Sequence, residues 1–321
     1  MLDTIKLRLY NQFYDLLDLK SKIVPNLKPI NKKMFAGRIK PTGMLRNMAI
    51  YFYDEQIVIE GSIAKFANGN NIENYDWRQL KFALNKLSEE LGGVNLDNAK
   101  ISRIDVGCNL ILNEKVTDYF PELGHLRYHQ RVMEHKTTLR YYGNSIRVIY
   151  LFYDKFSESI KKCKLIDDQF SSLFKSKNMM RVELQIQERL QRVLKKKDIR
   201  VKDLYQADFC KLLLKHWFEM FLEIEKKMIL AYPVKIKGLG GFNILMKKYL
   251  VSKLGWEQLE FLLSKGVENN CIASKAKSVK LSQLREAVFE MKGFKYQNNI
   301  KELIHKMKVM YVEGLKQVYK M

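Results

Sequence analysis

Proline is scarce in this chain, with 5 residues in 321, and glycine is modest at 16, which excludes collagen-like and low-complexity architectures. No uninterrupted apolar run reaches the roughly 18 residues that a bilayer-crossing helix needs. The opening segment, Met1 to Tyr10, alternates apolar and polar residues and lacks an apolar signal core. Cys108, Cys163, Cys210 and Cys271 lie far apart, with no Cys-x-x-Cys pair among them. A zinc knuckle is therefore not expected, and four unpaired thiols in a reducing compartment are. No internal repeat is visible. These absences point to a cytoplasmic protein with no membrane span.

Carboxylates are also outnumbered. Lysine and arginine total 57 against 35 aspartates and glutamates, a formal net charge of +22. An excess of that size calls for a polyanionic partner, with nucleic acid first and an anionic membrane surface second. The basic residues are spread along the whole chain, which suits a long binding surface better than a short anchor. Apolar residues make up 47%, a globular figure.

The first two-thirds read as a mixed region rich in strands. Alternating stretches dense in Ile, Val, Tyr and Phe fall at Thr4 to Leu9, Met48 to Tyr53, Ile57 to Ser62, Ile101 to Leu112, Thr137 to Tyr142, Ile146 to Tyr153 and Met179 to Gln187. Between them, Trp77 to Leu91 carries Leu80, Leu84, Leu87 and Leu91 at helical spacing, with Asp76 as N-cap and Gly92-Gly93 as the stop. From about Val201 the pattern turns helical, led by the amphipathic stretch Leu204 to Leu230. The expected division is residues 1–200 as one domain and 201–321 as a mainly helical region without convincing strands.

Two of the strands carry chemistry on one face. Side chains alternate along a strand, so Ile104, Val106 and Cys108 face one way while Arg103, Asp105 and Asn109 face the other. The segment around Arg181 repeats this, with Val182, Leu184 and Ile186 opposed to Arg181, Glu183, Gln185 and Gln187. Carboxylates on neighbouring strands suit a hard divalent cation, and the arginines suit phosphate. Each Arg-x-acid triplet also reads as a salt bridge on a half-exposed sheet. A third strand ends in Tyr153-Asp154-Lys155, which places a phenol and an ammonium on one face. Beside a metal, such a phenol suits nucleophilic attack on a phosphodiester, although a lone tyrosine more often packs.

In order and spacing, Ser102-Arg103-Ile104-Asp105, Tyr153-Asp154-Lys155 and Arg181-Val182-Glu183 resemble the motifs of the filamentous-phage replication initiators, the gene II/X family of rolling-circle nickases. The opening Met1-Leu2-Asp3 and the stretch Ser62-Ile63-Ala64-Lys65 with Gly69-Asn70-Asn71 are similar as well. The resemblance covers roughly residues 1 to 195 and extends more distantly to plasmid rolling-circle initiators.

The resemblance implies an α+β fold: an antiparallel-sheet nicking domain followed by a mainly helical C-terminal region. It also implies a tyrosine-dependent endonuclease and strand transferase acting at a phage or plasmid origin. Tyr153 would be the nucleophile, giving a 5′-phosphotyrosine and a 3′-hydroxyl primer, and Lys155 would orient or neutralise the phosphate. Asp105 and Glu183 would hold Mg²⁺ or Mn²⁺. Arg103, Arg181, Lys65 and Arg147 would contact DNA, and host helicase and polymerase would be partners. The alternative is a non-catalytic, sequence-specific DNA-binding protein on the same fold.

One departure from the wider group of tyrosine nickases is the missing His-hydrophobic-His triplet among His125, His129, His135, His216 and His305. His125 and His129 are spaced to share a helix face. The runs Lys161-Lys162-Cys163-Lys164 and Lys195-Lys196-Lys197 could flank a DNA groove, and Tyr141, Tyr142, Tyr150 and Phe152 could stack bases or pack in a core. Further basic clusters, Lys247-Lys248 and Lys275 to Lys280, lie in the helical region, with no clear helix-turn-helix signature.

Overall fold

The computed structural model describes residues 2–28, 42–143, 147–162, 178–187, 190–227, 229–230, 238–289, 296–297 and 299–321. Alternating polarity along the N-terminal two-thirds becomes nine strands: β1 (Leu2–Tyr10), β2 (Gly43–Leu45), β3 (Met48–Phe52), β4 (Gln56–Ser62), β5 (Lys100–Leu112), β6 (His129–Glu134), β7 (Thr138–Gly143), β8 (Arg147–Asp154) and β9 (Asn178–Gln187). They form one sheet in the order β2-β3-β4-β1-β5-β9-β8-β7-β6, with antiparallel pairing throughout. The fold is α+β, with a mainly helical C-terminal region.

All seven expected strands are present. Two more, β2 and β6, escape the sequence pattern. β2 has three residues, and β6 is an edge strand whose exposed and half-exposed side chains give it no apolar face to read. The helix expected over Trp77 to Leu91 begins as a 3₁₀ turn at Trp77–Gln79 and runs as α-helix over Leu80–Glu90. Asp76 caps it, accepting from the Arg78 N–H at 2.9 Å. Gly92 and Gly93 end it at φ of 86° and 77°, where a Cβ would be strained.

One face of the sheet is apolar. Ile104, Val106 and Cys108 of β5, Val182, Leu184 and Ile186 of β9, and Tyr150 and Phe152 of β8 are all buried. The helix Ala207–Glu223 covers them with Leu213, Leu214, Trp217 and Phe221. Two hydrogen bonds fix the contact: the Tyr150 hydroxyl donates to the Trp217 carbonyl at 3.0 Å, and the Trp217 indole donates to the Val182 carbonyl at 3.4 Å. The helix Asn299–Val318 packs beside it, with Tyr311 stacked on Phe218 at 4.6 Å between ring centroids.

Contacts group the chain differently from the compositional division at residue 200. One compact unit comprises residues 1–227 with 299–321, because both of these helices close the sheet's core. The other comprises residues 228–298. It contains a long helical stretch, Gly238–Glu268, broken at Gly255 where φ is +72°, and a helix, Ser274–Phe289. A two-residue strand pairing joins Ile229–Leu230 to Tyr296–Gln297. Among the described residues, no helix is long and apolar enough to cross a membrane.

Candidate active site

The opposite face of the central strands is polar, and register brings its functional groups together. Asp105 lies opposite Gln185, and Gly107 lies opposite Glu183. Asp105 and Glu183 are thus diagonal neighbours on adjoining strands. On the other side of β9, Leu151 pairs with Glu183 and Tyr153 with Arg181. Gly107 is needed here: a Cβ at that position would come within 2.8 Å of the Val182 carbonyl and 3.2 Å of the Glu183 Cβ.

A cavity of about 410 Å³ opens on this face. Its wall includes Tyr153, Asp105, Glu183, Arg103 and Lys65, all singled out in the sequence. It also includes Asp3, Ser62, Asn71, Thr138, Arg140, Glu158 and Gln185, to which sequence reasoning gave no site role.

The two carboxylates differ in their partners. Asp105 is 0% exposed and accepts from Arg103 Nε at 2.9 Å and Nη2 at 2.7 Å. Arg103 also reaches Glu60 at 3.1 Å, and its side chain is 24% exposed. Glu183 Oε2 accepts from Arg181 Nε at 2.8 Å, and Oε1 accepts from Gln185 Nε2 at 2.8 Å. Burial pushes the Asp105 carboxyl up to about 8; Arg103 opposes this, while the negative charges of Glu183 and Asp3 add to it. Such a paired, cation-deficient arrangement fits a divalent ion, with lone pairs on both side chains still open and water or phosphate oxygens completing the shell. Among the described residues, no cluster of three or more His, Cys, Asp or Glu is placed to hold a metal ion by itself.

Arg181 corrects one expectation. It is 3% exposed, and its guanidinium is committed to Asp3 Oδ2 at 2.6 Å, Glu183 at 2.8 Å and Asn109 Oδ1 at 3.2 Å. It supports the site from beneath, because no face of the fork is left for a phosphate. Asp3 in turn accepts from Asn71 Nδ2 at 3.3 Å and from the Ser62 hydroxyl. Burial alone would raise the Asp3 carboxyl, but Arg181, with help from Ser62, Lys155 and Asn71, holds it below the usual range. The Ser62…Asn71 stretch is therefore a scaffold. Ser62 caps the helix Ile63–Asn68 by accepting from the Lys65 N–H at 3.2 Å, which sets Lys65 on the cavity rim.

Tyr153 is half-buried, while Tyr150 is fully buried toward the other face. The Tyr153 phenol is raised well above its ordinary value by burial first and by Glu183 second, against the opposing pull of Arg181. Lys155 does not continue the strand. β8 stops at Asp154, whose carboxylate accepts from the Ser157 N–H at 2.9 Å and so starts the helix Lys155–Lys162. Lys155 is buried, with Nζ 5.8 Å from the Tyr153 ring centroid and 2.7 Å from Glu158 Oε2. Burial lowers its pKa, and Glu158 acts in the opposite sense.

Other expectations resolve plainly. The His125–His129 helix face does not form: His129 opens β6 and His125 sits in the irregular segment before it. Tyr141, Tyr150 and Phe152 are core residues, and the Tyr142 hydroxyl donates to Glu134 at 2.7 Å. Lys195 and Lys197 are exposed, while Lys196 pairs with Asp203 at 2.9 Å. The side chains of Arg147, Lys161, Lys162 and Lys248, and all of Cys163 and Lys164, lie outside the described residues. Cys108 and Cys210 are buried free thiols, and Cys271 is an exposed one.

No curated protein gives a significant match to the chain. Among solved structures, it is similar to the rolling circle replication initiator protein from Geobacillus stearothermophilus, with a TM-score of 0.34 and 13% identity over 74% of this chain and 89% of that one. The family model for the N-terminal part of the replication-associated gene II protein of phages matches residues 44–208. That span holds the Asp105 and Glu183 strands, the Tyr153-Asp154-Lys155 element and more than half of the sequence, and the chain belongs to this replication-protein family.

Proposed function

We propose that this family member nicks and rejoins one strand of DNA at a phage or plasmid replication origin, with Tyr153 as nucleophile. The Tyr153 oxygen attacks the scissile phosphorus, and the bond from phosphorus to the 3′ oxygen breaks. The 5′ end stays on the enzyme as a phosphotyrosine, and the 3′ oxygen leaves as a hydroxyl after taking up a proton. Reversal with a new 3′-hydroxyl as attacking group rejoins the strand. The observation that carries this reading is that Tyr153, Asp105 and Glu183 border the same cavity on one face of the sheet.

The site's charge explains what the chemistry requires. A phenol raised by burial and by Glu183 is protonated at neutral pH, so the reaction must relieve that field. Mg²⁺ or Mn²⁺ held by Asp105 and Glu183 would withdraw charge from the phosphate and offset the carboxylates. Arg103 and Lys65 border the space where a phosphate would lie, and Lys155 lies near the Tyr153 ring. The helical C-terminal part of the chain is assigned to duplex origin DNA or to host helicase and polymerase, in a bacterial cytoplasm.

The test uses supercoiled plasmid carrying the cognate origin and denaturing gels that detect protein–DNA adducts. Tyr153→Phe removes one oxygen and keeps the ring, so nicking and adduct should both vanish while DNA binding persists. Normal adduct from this variant assigns the nucleophile elsewhere. Wild-type protein that binds the origin, with Mg²⁺ or Mn²⁺ present, yet gives neither nick nor adduct favours the non-catalytic alternative.

A further inference from the structure

A second cavity, of about 330 Å³, opens among β1, β3 and β4, lined by Lys6, Arg8, Tyr51, Tyr53, Gln56 and Val58. Its size falls in the range of ordinary ligand clefts, roughly 300–1,000 Å³. The lining carries two cations and no carboxylate. Tyr51 and Tyr53 sit two residues apart, so their rings project to the same side of the sheet. The rings are near-parallel, at 12°, with centroids 6.4 Å apart, and Tyr53 is 40% exposed. Large aromatics on an open surface, beside paired basic residues, need a reason other than packing.

Register shows how this surface joins the catalytic one. Lys6 pairs with Glu60 on β4 and Arg103 on β5, and Arg8 pairs with Val58 and Lys100. Glu60 binds Lys6 at 2.9 Å and Arg103 at 3.1 Å, and Arg103 borders the cavity that contains Tyr153. The polar face therefore runs without interruption from the candidate nucleophile to the two tyrosines, with Lys6, Arg8, Lys100 and Arg103 along it and Glu60 as a tie between two of them.

We propose that this face binds the single-stranded DNA next to the scissile phosphate, with Tyr51 and Tyr53 as the platform on which its bases stack. The proposal deepens the nicking function and rests on it for the position of the strand. Unpaired bases are the matching chemistry, since a duplex hides its base faces in the stack and offers only phosphate to such a surface. Lys6 and Arg8 supply phosphate neutralisation, and the rings supply contact that tolerates any sequence.

The experiment measures anisotropy of a labelled oligothymidine of about 12 nucleotides, within the site sizes typical of single-strand binders. Binding to this probe needs no cleavage, so the result does not depend on Tyr153. Tyr51→Ala and Tyr53→Ala should each weaken binding roughly tenfold. Tyr51→Phe and Tyr53→Phe should stay within about twofold, because the ring face is kept. Arg8→Ala should reduce the salt slope by about 0.7. A duplex of equal length should respond to Arg8→Ala and not to the tyrosine changes. In the wild-type protein, an oligonucleotide carrying 5-iodouracil should photocrosslink to Tyr51 or Tyr53, mapped by mass spectrometry. Alanine variants with native circular dichroism that bind oligothymidine normally would overturn the proposal. So would crosslinks mapping elsewhere, or an equal loss for the duplex. Failure of the Tyr153 adduct prediction with these results intact would remove the nicking reading and leave the single-strand site standing.

Discussion

Arg103-x-Asp105 on β5 and Arg181-x-Glu183 on β9 are the same three-residue phrase on neighbouring strands, and the fold puts them to different uses. Arg103 is partly exposed, shares its charge between Asp105 and the rim residue Glu60, and borders the cavity. Arg181 is buried among Asp3, Glu183 and Asn109 and reaches no solvent-facing partner. A motif specifies which groups share a face. What lies beneath that face decides whether an arginine meets a ligand or holds the wall in place.

The sharpest way to break the comparison is to truncate each arginine. Arg181→Ala leaves two buried carboxylates without their cation and should cost about 3–5 kcal/mol in urea unfolding. Arg181→Lys should not restore it, since an ammonium cannot bridge Asp3 and Glu183 as the fork does. Arg103→Ala should cost clearly less, because water can reach its place. Equal losses at the two positions would show that the buried and rim assignments are wrong.

Next in size are the carboxylates themselves. Asp105→Asn and Glu183→Gln should each lower nicking by roughly 10²-fold, a typical cost of losing one charge-stabilising group. Oligonucleotide binding should be largely spared, and EDTA should abolish nicking by the wild type. Full nicking in EDTA, or by both variants, would sink the metal assignment and reduce the two triplets to structural pairs.

The smallest effect separates the two faces of β8. Tyr150→Phe removes the hydroxyl that donates to Trp217 and should cost about 1 kcal/mol of stability, with nicking and adduct yield unchanged. Lost adduct in this variant, with native stability, would refute the face assignment of both tyrosines.

Much of this was legible in the sequence because strand periodicity is strict. The alternation around Asp105 and Glu183 set their face, and apolar density marked seven of the strands. What stayed hidden has particular causes. Asp3 lies where β1 shifts register against β5 between Leu2 and Ile5, and no sequence pattern marks such an irregularity. Ser62 and Asn71 were visible as a motif, yet their shared target, Asp3, is set by tertiary placement. Lys155 was read as the end of a strand. Asp154 is in fact a helix cap, a role that its spacing to Ser157 suits but that β-rich surroundings masked. The helix Asn299–Val318 belongs with the sheet unit through contacts that composition cannot foresee.

The buried pair between Asp3 and Arg181 joins residues 178 positions apart. During synthesis β1 is made early and sits in the middle of the sheet, yet its carboxylate has no partner until β9 has left the ribosome. The cavity wall is thus one of the last features the sheet can complete, and closing so long a loop favours slow folding. Chains shortened before β9 lack both Arg181 and Glu183, so a partly translated product carries Tyr153 without the surroundings that would make it reactive. Competence to cut DNA is tied in this way to the finished sheet.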